Sequence, residues 1–123
     1  MHELPMSTNL ECYLKPYHRR WALKQGELGR LLGFQTGTIV SRFERGVQNP
    51  TLENAYAFEI IFGTAPIELF PGLHAEVGRN VIGRVRTLYD ELQGNTSSET
   101  QLKLDLFEDV FERWEKRSNM GHD

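Results

Sequence analysis

Few side chains of this 123-residue chain are suited to covalent, redox or metal chemistry. Cys12 is the single cysteine, so no intrachain disulfide can form, and a reducing, cytoplasmic location is the default expectation. Ser41 stands in no nucleophile-elbow context. The four histidines are too scattered for zinc-ligand spacing: His2, His18, His74 and His122. We therefore expect no catalytic site, no metal site and no cofactor.

A different chemistry is indicated by a run of small polar and basic residues between Gly33 and Gly46. If residues 36–45 form a helix, Val40 and Phe43 turn inward and fix it to a core. The outer face of that helix then carries Thr36, Gly37, Thr38, Ser41 and Arg42. Such a face suits the DNA major groove, where an arginine pairs with guanine and a threonine meets a thymine methyl group.

The charge of the chain is unevenly distributed, although the total is only −3. Residues 14–50 carry seven basic and two acidic groups, whereas residues 51–73 carry three glutamates and no lysine or arginine. Residues 74–123 carry seven basic and ten acidic groups. A basic segment of this size is the electrostatic footprint expected of a protein that binds phosphates, although solvated helix faces also carry such charge.

Short helices broken by glycine and proline are predicted in the first part of the chain, after a flexible arm at residues 1–12. Leu14, Tyr17 and Trp21 recur at helical spacing, so we expect Trp21 to pack rather than to stack on DNA. A second helix runs from Gln25 to Gly33, and a third covers residues 36–45. Thr51 caps the fourth helix, Thr64 and Pro66 open the fifth, and Pro71 with Gly72 then breaks the chain. The buried face predicted for the fourth helix is Leu52, Ala55, Tyr56, Ile60 and Phe62.

Two longer amphipathic helices are predicted within residues 73–118, followed by a tail at residues 119–123. Gly94 to Ser97 form the linker, and Ser98 with Gln101 fits a capping box. The first stripe is Val77, Val81, Val85, Leu88 and Leu92. The second stripe is Leu102, Leu106, Val110 and Trp114, flanked by Phe107 and Phe111. Because a lone hairpin would expose these rings, we expect a homodimer through 73–118 rather than packing within one chain. No stretch reaches the roughly 20 apolar residues of a membrane span.

Residues 14–70 resemble the helix-turn-helix domain of the phage repressor and Cro class, the Xre-type regulators. The positions that match are Leu14, Tyr17 and His18; Gln25, Leu28, Gly29, Leu32 and Gly33; Val40, Ser41, Glu44 and Gly46; Asn49, Pro50, Leu52 and Glu53; and Phe62, Gly63, Leu69 and Phe70. The resemblance implies an all-α fold, with a five-helix repressor-like DNA-binding domain at residues 13–72 followed by the two C-terminal helices. It also implies phosphate contacts from Gln25, Gln35, Arg45 and Asn49.

Three departures from the family pattern are present. His18 stands where the family usually has an arginine that pairs with the residue at position 44, and a His18–Glu44 pair would be weaker and pH-sensitive. Gly29 replaces the usual alanine, as a close helix crossing allows. One additional residue lies between Gly33 and Glu44, which shifts the expected base-reading positions by up to one.

The function implied by the resemblance is a sequence-specific regulator of transcription, most simply a repressor, that binds a double-stranded operator. The alternative is an antitoxin-like or partner-binding protein, whose acidic C-terminal helices bind another protein.

Overall fold

The computed structural model describes residues 11–120, and this part of the chain is helical, with no strand. The all-α prediction is confirmed at this level. Most of the predicted arm, residues 1–10, and residues 121–123 of the predicted tail lie outside the described range. The helices are α1 (Leu14–Arg20), α2 (Gln25–Leu31), α3 (Thr38–Glu44), α4 (Leu52–Phe62), α5 (Pro66–Leu69), α6 (Pro71–Glu91) and α7 (Ser98–Met120).

The chain divides into two compact units between Ala75 and Glu76. This division falls inside α6, because Pro71 begins that helix instead of ending the preceding segment. The predicted chain break at Pro71 is therefore wrong. A proline is readily accommodated at the first helical position, since its missing N–H has no intrahelical partner there.

The core of the first unit is built from α1 to α5. Val40 and Phe43 of α3 are fully or almost fully buried, as the sequence predicts. The ring of Phe43 packs edge-on against Phe58 of α4 and Phe70, with centroids 6.1 and 6.4 Å apart. The other members of the buried cluster are Leu14, Leu28 and Leu69. This cluster fixes α3 by its inner face and leaves its outer face to solvent.

The residues just before α1 belong to this unit, so the predicted arm of residues 1–12 extends too far. The backbone N–H of Tyr13 donates to the Leu69 carbonyl at 2.7 Å, and that of Gly72 donates to Glu11 at 3.2 Å. Cys12 is partly buried against the core. Its burial raises the pKa of the Cys12 thiol, which disfavours the reactive thiolate.

The ends of the helices follow the cap signals of the sequence. Gly33, Gly46 and Gly63 take positive φ angles of 95°, 74° and 67° just after α2, α3 and α4. Thr51 accepts the N–H of Asn54, and the Asn54 side chain accepts the N–H of Thr51, both at 3.1 Å. The two bonds satisfy two backbone donors at the start of α4.

The predicted buried face of α4 is largely wrong. Ala55 is buried and Phe62 half-buried, but Leu52, Tyr56 and Ile60 are exposed, Ile60 by 84%. Eight of the eleven residues of α4 are apolar or aromatic, so periodicity alone does not select a face. The core selects the side that presents the large ring of Phe58.

Trp21 is also misplaced by the sequence pattern, because its side chain is 65% exposed. Helix α1 ends at Arg20, and Ala22 then adopts a left-handed backbone with φ of 60°. The helix that begins at Leu14 therefore ends before Trp21, and helical spacing does not predict the position of the tryptophan side chain.

The second unit is an antiparallel hairpin of α6 and α7. The Tyr89 ring packs edge-on against Phe111 at 5.6 Å between centroids, and its hydroxyl donates to Glu108 at 2.9 Å. That hydrogen bond raises the pKa of the Tyr89 hydroxyl. Farther along, the Trp114 ring lies so close to Gly78 that any Cβ there would overlap it. The guanidinium of Arg86 lies over the Phe111 ring, 4.8 Å from its centroid.

Two details of this unit differ from expectation. The cap of α7 is Ser97, one residue before the predicted Ser98, and its hydroxyl accepts the N–H of Thr100 at 3.1 Å. Helix α7 continues to Met120, so the predicted tail begins too early. Within residues 11–120, no helix is both long and apolar enough to cross a bilayer.

Candidate nucleic-acid interface

The turn between α2 and α3 is held by two close backbone approaches. A Cβ on Gly29 would overlap the carbonyl oxygen of Thr36 and come within 2.9 Å of its carbonyl carbon. A Cβ on Gly37 would lie 2.7 Å from the Gln25 carbonyl carbon and 2.8 Å from the Gly26 nitrogen. The predicted close crossing at Gly29 is confirmed. The same contacts place Gly37 against α2 and not on the outer face, where we predicted a base-reading position.

Helix α3 begins two residues later than predicted, at Thr38. Thr36 lies in the turn, where its hydroxyl accepts the N–H of Thr38 at 3.3 Å and donates to the Thr38 hydroxyl at 3.1 Å. Ser41 is half-buried, and its hydroxyl accepts a hydrogen bond from Nε of Arg45 at 3.2 Å. Of the five predicted base-reading residues, Thr36, Thr38 and Arg42 are therefore the exposed side chains.

These three side chains share one shallow depression, which we call the turn–α3 surface. It is lined by Phe34, Gln35, Thr36, Thr38, Ile39 and Arg42. Phe34 and Ile39 were not predicted as site residues. Phe34 follows Gly33 at the start of the turn. An aromatic residue directly after a helix-ending glycine is the sequence feature that could have marked it as a site residue.

The residues predicted to contact phosphates are all exposed: Gln25, Gln35, Arg45 and Asn49. Gln35 lies on the turn–α3 surface, and Asn49 lies in the loop between α3 and α4. Gln25 has a structural bond as well, since its Nε2 donates to Oε1 of Glu44 at 2.8 Å. One amide hydrogen and the amide oxygen of Gln25 remain for a ligand.

The basic charge of residues 14–50 is fully displayed, because all seven lysine and arginine side chains in this segment are exposed. Within residues 11–120, none of the seven forms an ion pair with a carboxylate. The two acids of the segment are engaged locally: Glu27 accepts the N–H of Lys24 at 2.9 Å, and Glu44 binds His18 and Gln25. An open groove before α2 gathers three of these cations, Lys15, Arg19 and Lys24, which the prediction of phosphate contacts omitted.

His18 and Glu44 form a buried pair that ties α1 to the last residue of α3. The Nε2 atom of His18 lies 2.7 Å from Oε2 of Glu44, and the two side chains are 6% and 10% exposed. The Nδ1 atom lies 2.7 Å from the Leu23 carbonyl oxygen. One ring nitrogen therefore faces the Glu44 carboxylate and the other faces a backbone carbonyl. The predicted His18–Glu44 contact is thus present.

The described residues hold no cluster of three or more histidine, cysteine, aspartate or glutamate side chains that could bind a metal ion. The exposed polar and basic side chains of the first unit can form hydrogen bonds and charge pairs with a ligand. No protein-family model matches the sequence, and neither a curated protein nor a solved structure matches it at a significant level.

Proposed function

We propose that this protein is a sequence-specific, double-stranded DNA-binding regulator of transcription, most simply a repressor of the Xre/Cro type. Helices α1 to α5 form its repressor-like domain, and α3 enters the major groove. One observation carries the proposal: α3 is fixed by Val40 and Phe43 and displays Thr38 and Arg42, while the seven cations of residues 14–50 are exposed and form no ion pair with a carboxylate of residues 11–120.

In this arrangement the position of each cation determines whether it contributes sequence discrimination or general affinity for DNA. Arg42 lies on the turn–α3 surface, so its guanidinium donates to base edges and contributes discrimination. Lys15, Arg19, Lys24 and Arg45 attract phosphates and contribute affinity for any sequence. Because the phosphate contacts are electrostatic, the affinity for DNA falls steeply as the salt concentration rises.

Arg42→Ala is expected to reduce discrimination between operator and random DNA by roughly 1–3 kcal/mol, because a bidentate contact to one base is lost. Mobility-shift titrations with both duplexes measure this difference. Arg79→Ala, at an exposed arginine of α6, is the matched control and leaves both affinities unchanged. Equal affinities of Arg42→Ala and the parent chain on both duplexes would place the base-reading surface elsewhere.

We propose further that two copies associate through the hairpin. On α6 the side chains of Val77, Val81 and Leu88 are exposed, and they lie to one side of the residues that contact α7. On α7 the exposed Leu106 and the half-buried Val110 likewise lie to one side of the residues that contact α6. Viewed along each helix from its N-terminus, the two groups are rotated in the same direction away from the contact between the helices. Since the helices are antiparallel, equal offsets bring both stripes to one side of the hairpin. A second copy covers that side and gives a four-helix bundle.

Light scattering of the full chain is expected to give about twice the 14.2 kDa mass of one copy. Val81→Asp is expected to give a monomer, because the new carboxylate cannot be buried in an apolar interface. It also weakens operator binding, since one domain then contacts one half-site. Ile60→Asp, a substitution of an exposed aliphatic residue on α4, is the control and stays dimeric. A 14.2 kDa parent chain contradicts the dimer.

The alternative, an antitoxin-like or partner-binding protein, draws support from a second exposed apolar row: Leu52, Tyr56 and Ile60 on α4. The exposed Glu53 and Glu59 flank this row, so it suits a basic partner better than a second copy. The two candidate functions respond to different variants. Arg42→Ala reduces the operator discrimination of a regulator, whereas a partner-binding protein keeps its activity with that change and loses it with Tyr56→Asp.

A further inference from the structure

The turn–α3 surface contains an apolar element that the packing of the protein does not explain. Phe34 is 43% exposed and is not one of the buried residues of the core cluster. It lines the same depression as Ile39 and Arg42. An exposed aromatic ring beside an exposed arginine, on a surface proposed to face DNA, calls for a ligand with an apolar and a polar part.

One of the two threonines of this surface, Thr36, offers little hydrogen-bonding capacity to a ligand. The Thr36 hydroxyl donates to Thr38 and accepts the Thr38 N–H, so its hydrogen-bonding capacity is largely used within the protein. Arg42 is the charged hydrogen-bond donor of the depression, which Phe34, Ile39, Gln35 and the two threonines also line.

Among the base edges of the major groove, thymine presents a methyl group, and guanine presents the two acceptors O6 and N7 that match an arginine. We propose that this surface recognises a guanine together with a neighbouring thymine. Arg42 donates to O6 and N7 of the guanine, and Phe34 with Ile39 encloses the C5-methyl group of the thymine. This inference rests on the proposed DNA binding and adds the base composition of the half-site.

The test begins with selection of bound duplexes from a random-sequence pool by the full-length chain. The expected half-site contains a guanine with a thymine within one or two base steps. The selected duplex is then remade with single-base analogues. Deoxyuridine, which lacks the C5-methyl group, is expected to weaken binding about fourfold, the worth of one buried methyl group. In a separate duplex, 7-deazaguanine removes the N7 acceptor and weakens binding about tenfold.

Paired variants assign each base to its side chain. Phe34→Ala is expected to bind the thymine and deoxyuridine duplexes equally, while still distinguishing guanine from 7-deazaguanine. Arg42→Ala is expected to show the reverse. Tyr13→Ala, which removes another exposed aromatic ring, is the matched control and retains both preferences. Thermal unfolding checks that each variant folds.

The outcomes separate this inference from the proposal on which it rests. If a sequence is enriched but lacks the guanine or the thymine, DNA binding stands and the inference is wrong. The same holds if Phe34→Ala still prefers thymine to deoxyuridine by the parental factor. If the pool yields no enriched sequence, both proposals are wrong.

Discussion

Replacement of Gly29 by alanine is expected to lower the free energy of unfolding by about 3 kcal/mol, the upper part of the range for overpacking. The added Cβ would overlap the Thr36 carbonyl oxygen and lie 2.9 Å from the carbonyl carbon. Both atoms belong to the backbone of the turn, so no side-chain rotation relieves the contact. The turn must move away from α2, and, because the proposed DNA-binding surface includes this turn, the Gly29→Ala variant should also bind DNA more weakly.

Gly26→Ala is the matched control, because Gly26 lies in the same helix and a Cβ there meets no atom within 4 Å. Alanine at that position removes a helix-propensity cost of up to about 1 kcal/mol, so the control should be neutral or stabilising. Urea titrations followed by circular dichroism measure both changes. If Gly29→Ala is as stable as Gly26→Ala, the close approach of the turn to α2 is wrong.

Two departures from the repressor-class pattern meet at this contact. The sequence shows glycine in place of the usual alanine at position 29, and one additional residue between Gly33 and Glu44. In the structure the turn carries the Thr36 carbonyl onto Gly29. In the sequence the two departures are independent, since their connection depends on the path of the turn, which no periodicity encodes.

The helices that end in glycine were predictable because their signals are local. A glycine that takes positive φ ends α2, α3 and α4, and Thr51 supplies a cap that depends on its nearest neighbours. The inward side of α3 was also predictable, because Val40 and Phe43 stand out among small polar and basic residues. Helix α4 offers no such contrast. Its buried side depends on which ring fits between Phe43 and Phe70, which is a tertiary property.

The basic charge of the candidate site was predictable from the sequence, whereas the side-chain contacts within it were less predictable. The exposure of Arg42 and Thr38 follows from the inward direction of Val40 and Phe43. The bond between Arg45 and Ser41 depends on side-chain conformation, and the role of Phe34 depends on the path of the turn. In the hairpin the sequence predicts an apolar stripe on each helix. The pattern of a stripe does not determine whether the other helix of the hairpin or a second copy of the chain covers it.

Replacement of His18 by alanine is expected to lower the free energy of unfolding by about 3–5 kcal/mol, because it removes the partner of a largely buried carboxylate, that of Glu44. The Glu44 carboxylate, 10% exposed, would retain only the hydrogen bond from Gln25. The Leu23 carbonyl would lose its ring partner as well. Since the total stability of a small domain is about 5–15 kcal/mol, this single change removes a large part of it.

A double-mutant cycle separates the charge from the lost packing. In the Glu44→Gln background no buried carboxylate remains, so His18→Ala should cost about half as much as in the parent chain. Glu59→Ala, at an exposed glutamate of α4, is the control and should change stability by less than about 0.5 kcal/mol. Equal costs of His18→Ala in both backgrounds would mean that the ring stabilises the fold through packing and its bond to Leu23, and not through the Glu44 carboxylate. A smaller cost in the Glu44→Gln background would instead mean that the contact between His18 and the Glu44 carboxylate holds the end of α3 against α1.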